Sequence, residues 1–343
     1  MTEPLRIGLA GYGFGGRVFH APLLASVETC DFIGVVTTSP ERQALVAAAH
    51  PGVVTFDSLD ALAAAGAEAV AISTPADTHS RLTDEALTLG LHVVCDKPFA
   101  LDAAAAARSV DLAAQQGLVL SPYQNRRWDS DFLTLRTLVD RGRLGTVRRF
   151  ESRFERFTPR GGPKPAGGGG LLDFGSHLID QALVLLGAVD SVYAEWNIGD
   201  NGLDDDVFVA LAHARGARSH HWGSWRQPAP GPRFRVAGTE AAYVVDGPMD
   251  GQEASLVAGE TPRSLGDQWG VEPAERWGRV VRADDVEVVP STPGAWPTFY
   301  REFAAAVRGE GEPPVRAADA VATARVLDAA RVSATTGTTI SLV

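Results

Sequence analysis

The run Gly11-Tyr12-Gly13-Phe14-Gly15-Gly16 spells GxGxxG directly after the apolar run Leu5 to Ala10. A glycine turn that follows a strand and opens a helix is built to hold a dinucleotide pyrophosphate. Gly11 allows the tight turn, Gly13 lets the phosphates approach the backbone, and Gly16 lets helix and strand pack closely. Phe14 lies in the same turn, and the N–H groups that follow offer partial positive charge to phosphate oxygens. The end of the next strand decides the dinucleotide. An acid there bonds a ribose 2′-OH, but the chain reads Val35-Val36-Thr37-Thr38-Ser39-Pro40-Glu41-Arg42. Thr38 and Ser39 bring hydroxyls and Arg42 a cation able to pair a 2′-phosphate, so NADP(H) is favoured. Glu41 could serve the acidic role, which keeps NAD(H) as the alternative. Three further strings carry chemistry-bearing side chains: Ser73 to His79 (STPADTH), Cys95-Asp96-Lys97-Pro98, and Gly170 to His177 (GLLDFGSH).

The elements that must position these strings alternate. Leu5–Ala10, Phe32–Val36, Ala69–Ile72, His92–Cys95 and Leu118–Leu120 are short apolar runs suited to strands covered on both faces. Ala- and Leu-rich stretches lie between them. Asp77 and Asp102 stand where helix N-caps belong, and Gly90 and Gly117 stand just past helix ends. This spacing predicts a Rossmann-type doubly wound parallel sheet over residues 1–123.

After Tyr123 the period changes. Val147 to Phe157 alternates, with Phe150, Ser152 and Phe154 on one face and Arg149, Glu151, Arg153 and Glu155 on the other. Val192–Trp196, Val207–Ala212, His220–Trp225, Phe234–Ala237 and Tyr243–Asp246 are further strand candidates. Residues 124–343 therefore read as an α+β domain with a large, mostly antiparallel, open-faced sheet. It is assigned to substrate binding and to self-association, as a homo-dimer or homo-tetramer, through the open face. Residues 158–170, rich in glycine and proline, read equally as a flexible connection or as a mobile loop beside a site, since Asp173 follows at once. Residues 247–296, rich in Pro, Gly and Trp, are expected to leave the sheet as excursions. Asp204-Asp205-Asp206 reads as a solvated turn, and no ligand set clusters with it, so no metal is expected. His220 and His221 point to opposite faces of one strand.

At 343 residues, two domains are expected and no disulfide or metal is needed for folding. The formal net charge of −11 lacks the basic footprint of a nucleic-acid or membrane-surface binder. Cys30 and Cys95 sit in apolar runs and read as reduced thiols. No leader precedes the first strand pattern and no apolar run approaches a membrane span, so a cytoplasmic protein is expected.

Taken in order, these strings resemble the Gfo/Idh/MocA oxidoreductase family over essentially the whole chain. Gly15-Gly16-Arg17-Val18-Phe19-His20-Ala21-Pro22-Leu23, Gln124 to Phe132 (QNRRWDSDF) and His177-Leu178-Ile179-Asp180-Gln181 are similar to its NADP-dependent scyllo-inositol dehydrogenase branch. Two positions depart from the family pattern: Asp96 stands where Glu is usual, and Ala76 where Asn is usual. The resemblance implies that Lys97, Asp173 and His177 form the catalytic centre, and alcohol oxidation needs those groups. A histidine suits the hydroxyl proton, and Asp173, four residues earlier, shares its helical face. A lysine can stabilise developing charge on the reacting oxygen. Thr74, Pro75, His79 and Lys97 are placed beside the cofactor, though His79 would equally suit the start of an exposed helix. Asn125, Arg126, Trp128 and Asp180 are placed on the substrate, with Arg127 as a candidate surface charge.

The function expected is hydride transfer between a nicotinamide and a secondary hydroxyl of a cyclic polyol or sugar. The alternatives are relatives that use transient oxidation for elimination or glycoside cleavage, and a non-catalytic sensor on the same scaffold.

Overall fold

Six parallel strands form the first sheet in the order β3-β2-β1-β4-β5-β6. They are β1 (Leu5–Ala10), β2 (Cys30–Val36), β3 (Val54–Phe56), β4 (Ala69–Ile72), β5 (His92–Cys95) and β6 (Leu120–Pro122). All four residues of β4 are buried, as are five of the six in β1, so these strands read as continuous apolar runs. The computed structural model describes residues 3–158, 161–247 and 251–343.

The helices of this part are α1 (Ala21–Leu24), α2 (Pro40–Ala49), α3 (Leu59–Ala64), α4 (His79–Thr88) and α5 (Ala103–Gln116). Asp102 caps α5 by accepting from the Ala105 N–H at 2.7 Å, and Gly117 ends it with φ +66°. Ser39 and Ser58 cap α2 and α3 in the same way. Asp77 does not cap α4: Thr78 holds the N-cap position without a side-chain bond. The glycine turn leads into a widened π-helical turn, Gly16–His20, before α1 begins.

The second sheet has nine strands, ordered β14-β13-β12-β11-β7-β10-β9-β8-β15. These are β7 (Val147–Glu155), β8 (Val189–Ile198), β9 (Asp204–His213), β10 (Arg218–Ser224), β11 (Phe234–Gly238), β12 (Ala242–Val245), β13 (Gly278–Arg282), β14 (Asp285–Val289) and β15 (Ile340–Ser341). The β7/β10 pair is parallel and the other seven pairs are antiparallel. The remaining helices are α6 (Ser130–Asp140), α7 (Gly170–Leu186), α8 (Gly251–Val257), α9 (Pro262–Leu265), α10 (Pro297–Val307) and α11 (Ala317–Thr336).

One face of the nine-stranded sheet meets α7. Phe150, Val192, Leu211, Phe234 and Ile179 are among the side chains of the core between them. The other face is polar and aromatic: Phe208, His220 and Trp222 form a patch, with the Arg153 guanidinium 4.0 Å from the Trp222 ring. His221 points to the opposite face, where it bonds Ser152 and Ser219.

By its contacts the chain divides into two compact units. The first is Met1–Asn125, Gln252–Trp269 and Ala295–Val321; the second is Arg126–Gly251, Gly270–Gly294 and Ala322–Val343. Two stretches of the C-terminal half thus pack in the first unit. Residues 247–296 are also more regular than expected. The β13–β14 hairpin extends the sheet, because the alternating apolar residues Val280, Val286 and Val288 support strands that the surrounding Gly and Pro obscure.

Candidate active site

In the first unit, register aligns the site. Ala10 is opposite Val36 and Ile72, Ile72 is opposite Cys95, and Cys95 is opposite Pro122. The glycine turn, Thr38-Ser39, Ser73-Thr74, Asp96-Lys97 and the approach to Asn125 therefore leave the sheet at one carboxyl edge, where doubly wound folds bind ligands. Asp31 sits at the opposite end of β2, opposite Arg6.

The three motif glycines differ in what surrounds them. Gly11 has φ +95°, and a Cβ there would stand 2.4 Å from the Ser73 carbonyl oxygen. A Cβ on Gly16 would stand 2.2 Å from the Gly11 carbonyl oxygen. Beside Gly13 nothing lies within 4 Å. The first and last glycines are packed shut while the middle one opens to space a pyrophosphate can enter. Phe14 next to it is 59% exposed. These residues fit a dinucleotide.

At the tip of β2, Thr37 is buried, and its hydroxyl oxygen accepts the Ser39 N–H at 3.3 Å. The Ser39 hydroxyl accepts the Arg42 N–H at 3.4 Å as the cap of α2. Thr38, Glu41 and Arg42 are exposed beside it.

His79 is 1% exposed, not at an exposed helix start. Its Nδ1 lies 2.8 Å from the Pro98 carbonyl and its Nε2 2.9 Å from the Thr74 carbonyl. Carbonyls only accept, so both nitrogens donate and the ring is an imidazolium. Burial opposes that charge, but Cys95, Asp96 and the Pro98 carbonyl together raise its pKa to about 9. The ring ties the Thr74 and Pro98 loops together, with both nitrogens spent on main chain. Thr74 and Thr78 share a hydroxyl bond of 2.6 Å, and the Thr78 hydroxyl also donates to the Pro75 carbonyl at 2.7 Å.

Lys97 is half-buried, and a cis peptide joins it to Pro98. Its main-chain N–H donates to Asp96 Oδ1 at 2.8 Å. Asp96 Oδ2 accepts from Ser73 Oγ at 2.9 Å and lies 3.3 Å from His20 Nε2. His20 is a residue that the sequence motifs contain but do not single out.

In the second unit, α7 carries Asp173 in its first turn and His177 one turn later. Gly168 and Gly169, with φ +74° and +95°, deliver the chain to its start. Asp204 is buried there, its Oδ2 accepting the Leu171 N–H, and Asp205 pairs with Arg226 at 2.6 Å. The acidic triplet is thus no solvated turn: its first member caps the helix that carries the candidate base, and burial raises its pKa. Residues 159, 160 and 248–250, within the two stretches noted above, lie outside the described residues.

His177 is 4% exposed, and its ring lies along Phe154 at 6.2 Å and 30°. The Arg126 guanidinium stands 4.9 Å from the same phenyl ring. Arg126 also pairs with Asp129 at 3.2 Å, and its carbonyl accepts from Gln181 Nε2 at 2.9 Å. Gln181 Oε1 in turn accepts from Arg233, whose Nε lies 3.1 Å from Asp131. Asp180 uses both oxygens on Arg127, at 2.8 and 2.6 Å. Asp180 is buried and Arg127 largely so, which makes Arg127 a paired charge rather than a surface one and ties its turn to α7. The structure thus gathers Arg126 and His177 around Phe154. Asn125 is buried in the first unit and Trp128 is half-buried. Among the described residues no group of His, Cys, Asp or Glu is arranged to hold a metal. No helix described is long and apolar enough to cross a membrane.

Residues 5–124 match the oxidoreductase family model with an NAD-binding Rossmann fold, and residues 132–244 match the Gfo/Idh/MocA C-terminal domain. The chain belongs to the Gfo/Idh/MocA oxidoreductase family. Among its relatives is an uncharacterized oxidoreductase of Escherichia coli, YdgJ, 36% identical and covering 94% of each chain. Another is scyllo-inositol 2-dehydrogenase (NADP(+)) IolW of Bacillus subtilis, 31% identical over 99% of this chain and 97% of its own. The structure of a putative oxidoreductase, yvaA of Bacillus subtilis, superposes with a TM-score of 0.92 at 30% identity and 99% coverage of both chains. This Gfo/Idh/MocA protein is therefore an oxidoreductase with a nicotinamide dinucleotide as its cofactor class.

Proposed function

We propose that this protein catalyses the reversible oxidation of a secondary hydroxyl on a cyclic polyol of the inositol type, with NADP(H) preferred. The observation that carries the reading is the buried imidazole of His177 beside Arg126 on Phe154, one turn after Asp173. A buried imidazole is suited to proton transfer near neutral pH. The full-length likeness to an NADP-dependent inositol dehydrogenase favours the substrate class. The exposed Thr38 and Arg42, with no acid at the end of β2 itself, favour the 2′-phosphate.

A bound nicotinamide supplies a hydride acceptor or donor at C4. His177 takes the hydroxyl proton as the carbon gives up its hydrogen with the bonding pair, leaving a ketone. Lys97 hydrogen-bonds the reacting oxygen and stabilises its alkoxide character. Asp173 holds a substrate hydroxyl or orients the imidazole, and Arg126 holds a neighbouring hydroxyl. Gly11, Gly13, Phe14 and Gly16 form the pyrophosphate turn.

A panel of inositols, aldoses and keto-sugars assayed with both cofactors tests this. The expected result is steady growth of absorbance at about 340 nm with an inositol. kcat/KM is expected to be at least about tenfold higher with NADP than with NAD. Product formed without net cofactor reduction would instead mark the recycling chemistry of elimination or glycoside cleavage. Cofactor binding without turnover of any panel member would mark a sensor.

A further inference from the structure

His20, the last residue of the turn that follows the glycine motif, is fully buried. Its Nδ1 lies 2.6 Å from the hydroxyl of Tyr300, itself fully buried on α10, and its Nε2 faces Asp96. The Tyr123 ring covers the imidazole at 4.2 Å. Beyond His20, the Asp96 carboxylate reaches Ser73 at the exit of β4 and the Lys97 N–H at the exit of β5. The glycine turn also packs on this point, since a Cβ on Gly15 would come within 2.8 Å of Ser73 Oγ and 3.3 Å of Asp96 Oδ2. One carboxylate therefore joins three cofactor-edge segments, and a string Tyr300–His20–Asp96 ends on the main chain of Lys97. Pure packing would be served as well by apolar side chains, since burying such a string costs desolvation.

We propose that His20 and Tyr300 are positioning residues for Lys97, holding the Asp96 carboxylate aimed at the Lys97 N–H so that the glycine turn and the Lys97 segment are set together. The proposal rests on the reading of Lys97 given above. Burial opposes the charge of Asp96, but the His20 imidazole 3.3 Å away, with His79 and Lys97 nearby, holds its carboxyl well below the ordinary range. Burial above all, with Tyr123, Cys30 and Asp96 adding, keeps Tyr300 well above the usual phenol range, so its hydroxyl retains its proton. A protonated phenol can donate to Nδ1, which leaves the Nε2 hydrogen for Asp96. The groups that face this carboxylate are His20, Ser73, the Lys97 N–H, His79 from α4 and, through His20, Tyr300. Removing the imidazole leaves a half-buried carboxylate whose pKa rises. The arrangement is then lost at a higher pH than in the wild type.

The test compares His20→Leu, His20→Gln and Tyr300→Phe with the wild type in kcat against pH, with NADP(H) affinity and melting temperature measured alongside. His20→Leu is expected to lower kcat on the order of 10- to 100-fold. Its acid limb should move up by about one pH unit or more. His20→Gln, whose amide N–H can reach the carboxylate, should recover most of both effects at a similar melting temperature. Tyr300→Phe, which loses a single hydroxyl and leaves the packing intact, should shift the limb the same way by less. An unshifted limb in both His20→Leu and Tyr300→Phe, or equal loss in the Leu and Gln variants, overturns the proposal. Lys97→Met separates the two claims: if it stays active, the reading of Lys97 fails, whereas an inactive Lys97→Met beside unshifted variants sinks only the string. If no polyol turns over, NADPH affinity against pH decides. A loss of affinity between about pH 4 and 6 that is large in His20→Leu and smaller in Tyr300→Phe supports the string, and curves superimposable on the wild type overturn it.

Discussion

Replacing His177 with alanine is expected to lower kcat on the order of 10²- to 10⁴-fold while NADPH continues to bind. The loss is that of a general base; it should shrink as pH rises, because hydroxide can take the alcohol proton in its place. His177 is buried along Phe154, so the alanine variant also opens a cavity. His177→Asn, closer in size and without a base of suitable pKa, should show the same kcat loss with a smaller change in melting temperature. Lys97→Met keeps the aliphatic stem and removes the ammonium. It should cost on the order of 10²- to 10³-fold in kcat, the size typical of losing one donor to developing oxyanion charge. Pre-steady-state and steady-state rates, set beside NADPH titrations, check both. Near-full kcat in His177→Ala with an intact melt would remove histidine from its assigned role.

Gly13→Val and Gly16→Ala should fail in opposite ways although they lie three residues apart in one motif. Nothing lies within 4 Å of a Cβ on Gly13, so Gly13→Val should melt within a few degrees of the wild type. The new side chain fills the approach of the pyrophosphate, and the Kd for NADPH should rise at least about 100-fold, roughly 2.7 kcal/mol. Gly16→Ala instead pushes a methyl group into the Gly11 carbonyl, so the turn must deform before any ligand arrives. It should lower the melting temperature by several degrees or more as well as weaken the cofactor. Calorimetric melts and fluorescence titration of NADPH separate these outcomes. Equal melts for the two variants would contradict the packing described here.

The parts of the fold legible in the sequence are those governed by local pattern. The apolar runs of β1, β4 and β5 need burial on both faces, and that need shows directly in composition. The alternation of β7 shows its covered and open faces for the same reason. The glycine motif declares itself because backbone shape, not side-chain partnership, sets its requirements. β13 and β14 were hidden because the pairing that stabilises them joins residues whose own strand signal is weak amid Gly and Pro. The polar partnerships of the site were hidden more deeply. Arg127 meets Asp180 across 53 residues, and His20 meets Tyr300 across 280. Nothing in either local string marks such a bond, because only the folded chain brings the partners together. Asp204 illustrates the same limit: an acidic triplet looks like solvated surface until a helix start arrives to be capped. The string around His79 does not show its partners either, because the carbonyls that meet its two nitrogens belong to loops 5 and 19 residues away.

The central claim is that hydride passes between a secondary carbinol carbon and the nicotinamide while His177 handles the hydroxyl proton. Its most direct test uses an inositol deuterated at every ring carbon, incubated with the enzyme and NADP+. The reduced cofactor should carry one deuterium at C4 for each ketone formed, as followed by mass spectrometry. Ketone formed with an unlabelled reduced cofactor, or product released while no reduced cofactor accumulates, would contradict it.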